Sequence, residues 1–198
     1  MLSICRILFA VALLVSASIL LHAQIPSDIP LSSTRSDEDA QPAQIHELVS
    51  SYCRLDYEGA RLDPQAWSKF QSLVWWPSSP TYTQIDVVAR YAVDMPSDSS
   101  HGRYDVTVHY RLLGIYYLAT GYVREPQGTT QDVGFSVTSQ KSDWRIDDAD
   151  NTSPHPSRAA MLTWLNKKLS TAQDPAAKTR YQNALKLLQA QSASPFAR

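Results

Sequence analysis

The chain has 198 residues with 18 basic and 19 acidic side chains, a net charge of −1. That balance argues against a nucleic-acid binder or a binder of anionic membranes, both of which need a basic surplus. Of the two cysteines only Cys53 lies beyond residue 23, so no internal disulfide can form if those residues are removed, and the core alone must hold the fold. A content of 43% apolar residues, with five tryptophans and ten tyrosines, can supply that core.

Residues 1–23 read as a secretory signal peptide. Arg6 closes a short basic region, residues 7–21 carry no charge, and Ala23 is a small residue suited to cleavage. The apolar run is shorter than the ~20 residues a membrane span needs. The expectation is an exported chain, periplasmic or secreted, with no stable membrane span after cleavage. Retention of the segment as an anchor is the competing reading. Residues 24–42 read as a disordered linker, because Pro26, Pro30, Pro42, Ser32-Ser33-Thr34 and Asp37-Glu38-Asp39 leave little to bury.

A first helix is predicted over 42–58. Ile45, Leu48, Val49, Tyr52 and Cys53 share one stripe, Pro42 suits the first turn and Gly59 ends it. Its apolar face makes Cys53 a buried cysteine, not a reactive thiol. Asp63-Pro64 then caps a short helix over 64–72, with Ala66, Trp67 and Phe70 on its packing side. From residue 81 the period becomes two. Ile85, Val87, Ala89, Tyr91 and Val93 alternate with Asp86, Val88, Arg90, Ala92 and Asp94, which predicts a strand.

Residues 96–102 read as a polar turn. A long strand follows over 104–118, with Tyr104, Val106, Val108, Tyr110 and Leu112 on one face and a bend near Gly114. Pro126-Gln127-Gly128 is a turn. Residues 129–140 form another strand with Val133, Phe135 and Val137 inward, and Trp144 and Ile146 close an antiparallel hairpin. Ser157 caps a helix carrying Met161, Trp164, Leu165 and Leu169. Asp174-Pro175 opens a second one carrying Ala177, Tyr181, Ala184 and Leu188. Residues 193–198 read as a frayed tail.

The sum is α+β: a curved antiparallel sheet of about four strands packed by N-terminal helices on one side, with a C-terminal helical hairpin. The leading helix with IHELVSSYCRLDYEGARLDP, the strand YTQIDVVARYAV and the late hairpin ending in SDWRIDD resemble the NTF2-like superfamily, including its SnoaL-like and ketosteroid-isomerase-like members. The resemblance covers residues 43–150, and the hairpin at 151–192 lies outside it. It implies a cone with an apolar pocket on its concave face, and often a homodimer.

No nucleophile elbow, phosphate-binding glycine loop, metalloprotease helix or dinucleotide fingerprint is present. His101 and His109 lack further ligands for a metal, and no cofactor is implied. Asn151-Thr152-Ser153 reads as turn chemistry before Pro154. The residues expected to line a pocket are Trp67, Trp75, Tyr91, Arg90, His109, Arg111 and Tyr116. An isomerase or dehydratase would pair Asp86, Asp105 or Asp132 with Tyr91, Tyr110 or Tyr116. Carboxylates alternating with apolar residues more often mark a solvated face. The leading expectation is therefore a non-catalytic module that binds a small apolar ligand or a protein partner. The hairpin is one candidate surface for such a partner.

Overall fold

The computed structural model describes residues 35–100, 102–141 and 143–191. The expected signal peptide, most of the linker and the C-terminal tail lie outside these residues. The architecture is α+β, an open, curved antiparallel sheet with helices before and after it.

Helix α1 spans Arg35–Tyr57. It starts earlier than expected, and Pro42 lies inside it. Proline removes one intrahelical hydrogen bond and crowds the preceding turn, which is why sequence alone places it at a helix start. Ile45, Val49, Tyr52 and Cys53 are buried, as the stripe predicts. The next segment is not α-helical. It forms 3-10 turns at Ala60–Leu62 and Pro64–Lys69, with Asp63 accepting from Gln65 N at 3.1 Å.

The six strands are β1 (Gln84–Val93), β2 (Ser97–Ser100), β3 (Arg103–Tyr117), β4 (Gly121–Arg124), β5 (Thr130–Gln140) and β6 (Asp143–Ala149). The main path is β1-β3-β5-β6, with β2 and β4 as short additions to β3. β2 occupies the expected polar turn, and β4 has no counterpart in the sequence reading. Val133, Phe135 and Val137 are buried as their alternation implies.

Beyond β1 the chain adds one more backbone layer. Asp86 N donates to Pro154 O at 2.9 Å and Val88 N to Pro156 O at 3.0 Å, so residues 154–157 run along the β1 edge. Helix α2 (Arg158–Thr171) follows, with Ser157 Oγ accepting from Ala160 N. Helix α3 (Pro175–Ala190) is capped by Asp174, which accepts from Ala176 N and Ala177 N. Gly59, at φ 85°, brings the end of α1 so close to Ala160 that a side chain there would collide with it.

Two cores result. The first joins α1 and Phe70 to Val88, Val106, Val108, Tyr110, Val133, Phe135 and Val137. The second joins Ile85, Val87 and Tyr116 to Met161, Leu165, Leu185 and Leu188. Strand side chains alternate between faces. Ile85 and Val87 flank Asp86, which is grouped with His155 beside Tyr110 in the first core. The hairpin therefore covers the opposite face of this end of the sheet, which corrects the expectation of helices on one side only. The hairpin is an integral wall. Burying Met161, Leu165 and Leu188 in full contributes about 1.5–3 kcal/mol each.

Candidate functional site

Two groups of charged residues stand out, one buried and one open. The buried group begins at Asp56 on α1, which is 1% exposed. Its Oδ2 accepts from His155 N at 3.0 Å and lies 3.5 Å from His155 Nδ1 and 3.8 Å from Arg61 Nη1. Arg61 also donates to Ser153 O at 3.1 Å and Thr152 O at 2.5 Å. On the other side, His155 Nε2 lies 3.7 Å from Asp86 Oδ2. Asp86 accepts from Gln84 at 2.8 Å, Asn151 at 3.1 Å and Gln131 at 3.4 Å. The His155 ring stacks on Tyr110 with centroids 4.0 Å apart, and the Tyr110 hydroxyl meets Cys53 Sγ at 3.3 Å.

Burial explains the protonation of the neighbouring acids. Desolvation holds the Tyr110 hydroxyl well above its ordinary pKa, and pushes the Cys53 thiol up to about 12. Neither group ionises near neutrality, so Cys53 is the inert buried thiol its helical stripe implies. Asp86 departs from expectation: it is wholly buried, not on a solvated face. The alternation holds, but both faces of β1 are covered over Ile85–Val88, so neither face is the wet one there. Among the described residues none of the hydrogen bonds to Asp86 comes from a tyrosine. Asn151 also forms the expected turn, accepting from Ser153 N at 2.8 Å.

The open group arises where the sheet loses regularity. Register shifts fall between Val87 and Val88 and between Val88 and Arg90 in β1. On the other side of β3, β5 pairs with Arg103–Arg111 and β4 with Gly114–Tyr117. Between them the chain bulges out through a turn at Pro126–Thr129, anchored by Leu112 N to Thr129 O at 2.9 Å and Glu125 N to Leu113 O at 3.2 Å. Both neighbours of β3 thus break step near Leu112–Gly114. A cavity of about 210 Å³ lies at this point.

Arg90 and Arg111 sit directly opposite each other in the β1–β3 register. Tyr91 packs on Tyr57 of α1, and Tyr110 meets Cys53 of α1. The adjacent arginines therefore point to the other face. Arg124 and Glu125 complete the charged wall of the cavity. Ala89, Leu112, Leu113 and Pro126 give it apolar surface, and Gln191 closes one side. Gln191 is fixed there by Leu113 O at 3.0 Å and by the Tyr122 hydroxyl at 2.9 Å. Tyr122 in turn crosses Gly114 so closely that any side chain at 114 would collide with its ring.

The seven residues expected to share one pocket are dispersed. Arg90 and Arg111 line the cavity. Trp67 stacks on Phe70 at 5.3 Å, and Trp75 lies under Arg145 at 4.4 Å. Tyr91 sits between Tyr57 and Tyr110, and Tyr116 is buried against Trp164 and Tyr181. His109 is exposed and bridges two strands, with Nδ1 2.7 Å from Asp132 and Nε2 2.9 Å from Asp94. Hydrogen bonds first to Asp132 and then to Asp94 hold its pKa above the ordinary histidine value. Asp105 pairs with Arg103 at 3.3 Å. His101 lies outside the described residues.

Sequence reasoning missed Arg124, Glu125 and Gln191 at the cavity, and Asp56, Arg61 and His155 in the buried group. Their partners are distant in sequence, and no local period links them. Among the described residues no three His, Cys, Asp or Glu side chains could hold a metal, and no helix is long and apolar enough to cross a membrane. No known protein family, curated protein or solved structure matches this chain.

Proposed function

We propose that this protein is an exported, non-catalytic binding module built on an NTF2-like core, and that it takes a small ligand in the cavity beside β4. The cavity carries this reading, because it combines apolar surface with convergent polar groups at a break in the sheet. Its volume of about 210 Å³ is below the ~300–1,000 Å³ of pockets for drug-sized ligands, which favours a compact molecule. The non-catalytic part rests on what lines it. Among the described residues that line it, Glu125 is the only acid, with no histidine, cysteine or serine. Asp86 and His155 lie buried away from the cavity, with Asp86 accepting from the Gln84, Gln131 and Asn151 amides.

The test is amide NMR of the purified chain during titration with a mixture of compact neutral and charged probes: benzyl alcohol, benzamide, benzylamine and benzoate. Shifts concentrated at Leu113, Arg124, Gly128 and Gln191 are expected. Saturating probes that leave those four amides unmoved would remove the reading. Export has its own check, mass spectrometry of the N-terminus in fractionated cells. A chain starting at Gln24 outside the cytoplasm is expected, and an intact Met1 in the cytosol would overturn it.

A further inference from the structure

We infer that the groove between the end of α1 and helix α2 is a second ligand site, and that it takes a small zwitterion on an apolar body: an α-amino acid with an aromatic or aliphatic side chain. Among the described residues it shares no lining residue with the cavity beside β4. The groove has a volume of about 340 Å³, inside the ~300–1,000 Å³ range of small-molecule pockets. One wall is a stripe of α2. Ala160, Thr163, Trp164, Lys167, Lys168 and Thr171 recur at steps of three and four, so they share one helix face. The other wall is the turn after α1, with Glu58, Leu62, Asp63 and Pro64. Two contacts set the walls against each other. Ser157 N donates to Tyr57 O at 2.7 Å, and a Cβ on Gly59 would lie only 2.8 Å from that of Ala160.

The two walls carry opposite charges that do not neutralise each other. Glu58 and Asp63 stand on one, Lys167 and Lys168 on the other, and among the described residues none of the four enters an ion pair. Asp63 Oδ1 is held by Gln65 N at 3.1 Å. Lys168 Nζ lies 5.4 Å from the Trp164 ring centroid, a contact that steadies the side chain without cancelling its charge. The lysines have little to turn to on their own hairpin. Residues 151–191 carry six basic side chains and one acid, Asp174, whose two oxygens cap α3. A ligand with one charge is drawn to one wall and repelled by the other. A zwitterion meets each wall with its matching end, so the same arrangement selects and excludes. Leu62, Pro64 and the half-buried Trp164 supply apolar contact for the body.

The experiment is calorimetric and NMR titration of the purified chain at neutral pH with phenylalanine, N-acetylphenylalanine and phenylalaninamide. These present both charges, the negative charge alone and the positive charge alone on one body. Phenylalanine is expected to move the Gly59, Thr163 and Lys167 amides and to bind at least tenfold more tightly than either derivative. K167Q/K168Q should lose at least tenfold in phenylalanine affinity and leave phenylalaninamide at least as tight as phenylalanine. E58Q should act in the opposite sense and narrow the gap to N-acetylphenylalanine. K186Q, on the exposed side of α3 and outside the groove, should change nothing. Circular dichroism of each variant confirms that the fold persists. If the three compounds bind equally, or a derivative binds more tightly than phenylalanine, the zwitterion assignment is overturned. It falls equally if K167Q/K168Q leaves phenylalanine affinity unchanged. If none of the three moves those amides at millimolar concentration, the groove is not a ligand site. The reading of the cavity beside β4 is then untouched, because its own signals are at Leu113 and Gln191.

Discussion

Asp86 and Arg90 stand on the same strand, yet Asp86 is wholly buried and Arg90 is exposed. The first belongs to a group in which carboxylates, a guanidinium and an imidazole are interleaved with amides and backbone carbonyls. The second lines a recess together with Arg111, Arg124 and Glu125. The difference separates two uses of polar residues. Opposite charges paired inside a core fix how distant segments meet, whereas charged groups at a concave surface stand where another molecule can reach them. Such a buried network is costly to break, because removing one member leaves the others without partners in low dielectric; among the described residues Asp56 Oδ1, Arg61 Nε and His155 Nε2 already lack a hydrogen-bond partner.

The comparison can be broken hardest from the buried side. Asp56→Ala leaves the buried Arg61 without its counter-ion and the His155 N–H without its acceptor, and should cost about 3–5 kcal/mol of unfolding free energy in chemical denaturation. A loss below about 1 kcal/mol would mean that the network is not a structural element. Gly114→Ala comes next. A methyl there meets the Tyr122 ring and should cost about 1–3 kcal/mol through overpacking, with disturbance of the Gln191 amide as its local sign. Arg90→Gln should do the reverse of both. Removing one of two opposed like charges should leave stability unchanged or raise it by about 0.2–1 kcal/mol in the same assay. A clear loss would show that Arg90 has a structural role.

Two smaller effects sharpen the contrast further. Cys53, with its pKa pushed up to about 12 by burial, should resist Ellman's reagent at pH 8 until the protein is unfolded with denaturant. Rapid labelling of the native chain would contradict that burial. At His109 the folded pKa is raised, so its contribution to stability is present below the ordinary histidine pKa and lost as pH rises through the folded value. An NMR titration should place His109 above that ordinary value, and Asp132→Asn, which removes the larger cause, should bring it down. No movement on Asp132→Asn would show that the contact does not persist in solution.

Much of this architecture is legible in the sequence. The caps at Ser157 and Asp174 lie where the helix starts demand them, and the alternation around Val133, Phe135 and Val137 gives both the strand and its buried face. The errors share a cause. Asp86 alternates with apolar residues in the manner of a surface carboxylate, but alternation cannot say that both faces of a strand are covered. Gly121–Arg124 is too short to show a period, so β4 goes unseen and Arg124 with it. The opposition of Arg90 and Arg111 depends on two register shifts in β1 that nothing local announces. His155, between two prolines, looks like a loop residue. Its burial depends on contacts with residues that lie 99 positions away at Asp56.

The segment carrying His155 has a consequence for how this sheet meets other molecules. Pro154 and Pro156 supply carbonyls to β1 and have no N–H of their own. The His155 N–H is committed to Asp56, and that of Ser157 to Tyr57 O at 2.7 Å. Four consecutive residues along the rim therefore hold no donor for an incoming chain. An exposed row of backbone donors and acceptors is the usual template for strand-by-strand self-assembly. Here the β1 rim is finished in a material that cannot be extended, so a long, apolar strand can sit next to the boundary of the sheet without recruiting copies of itself.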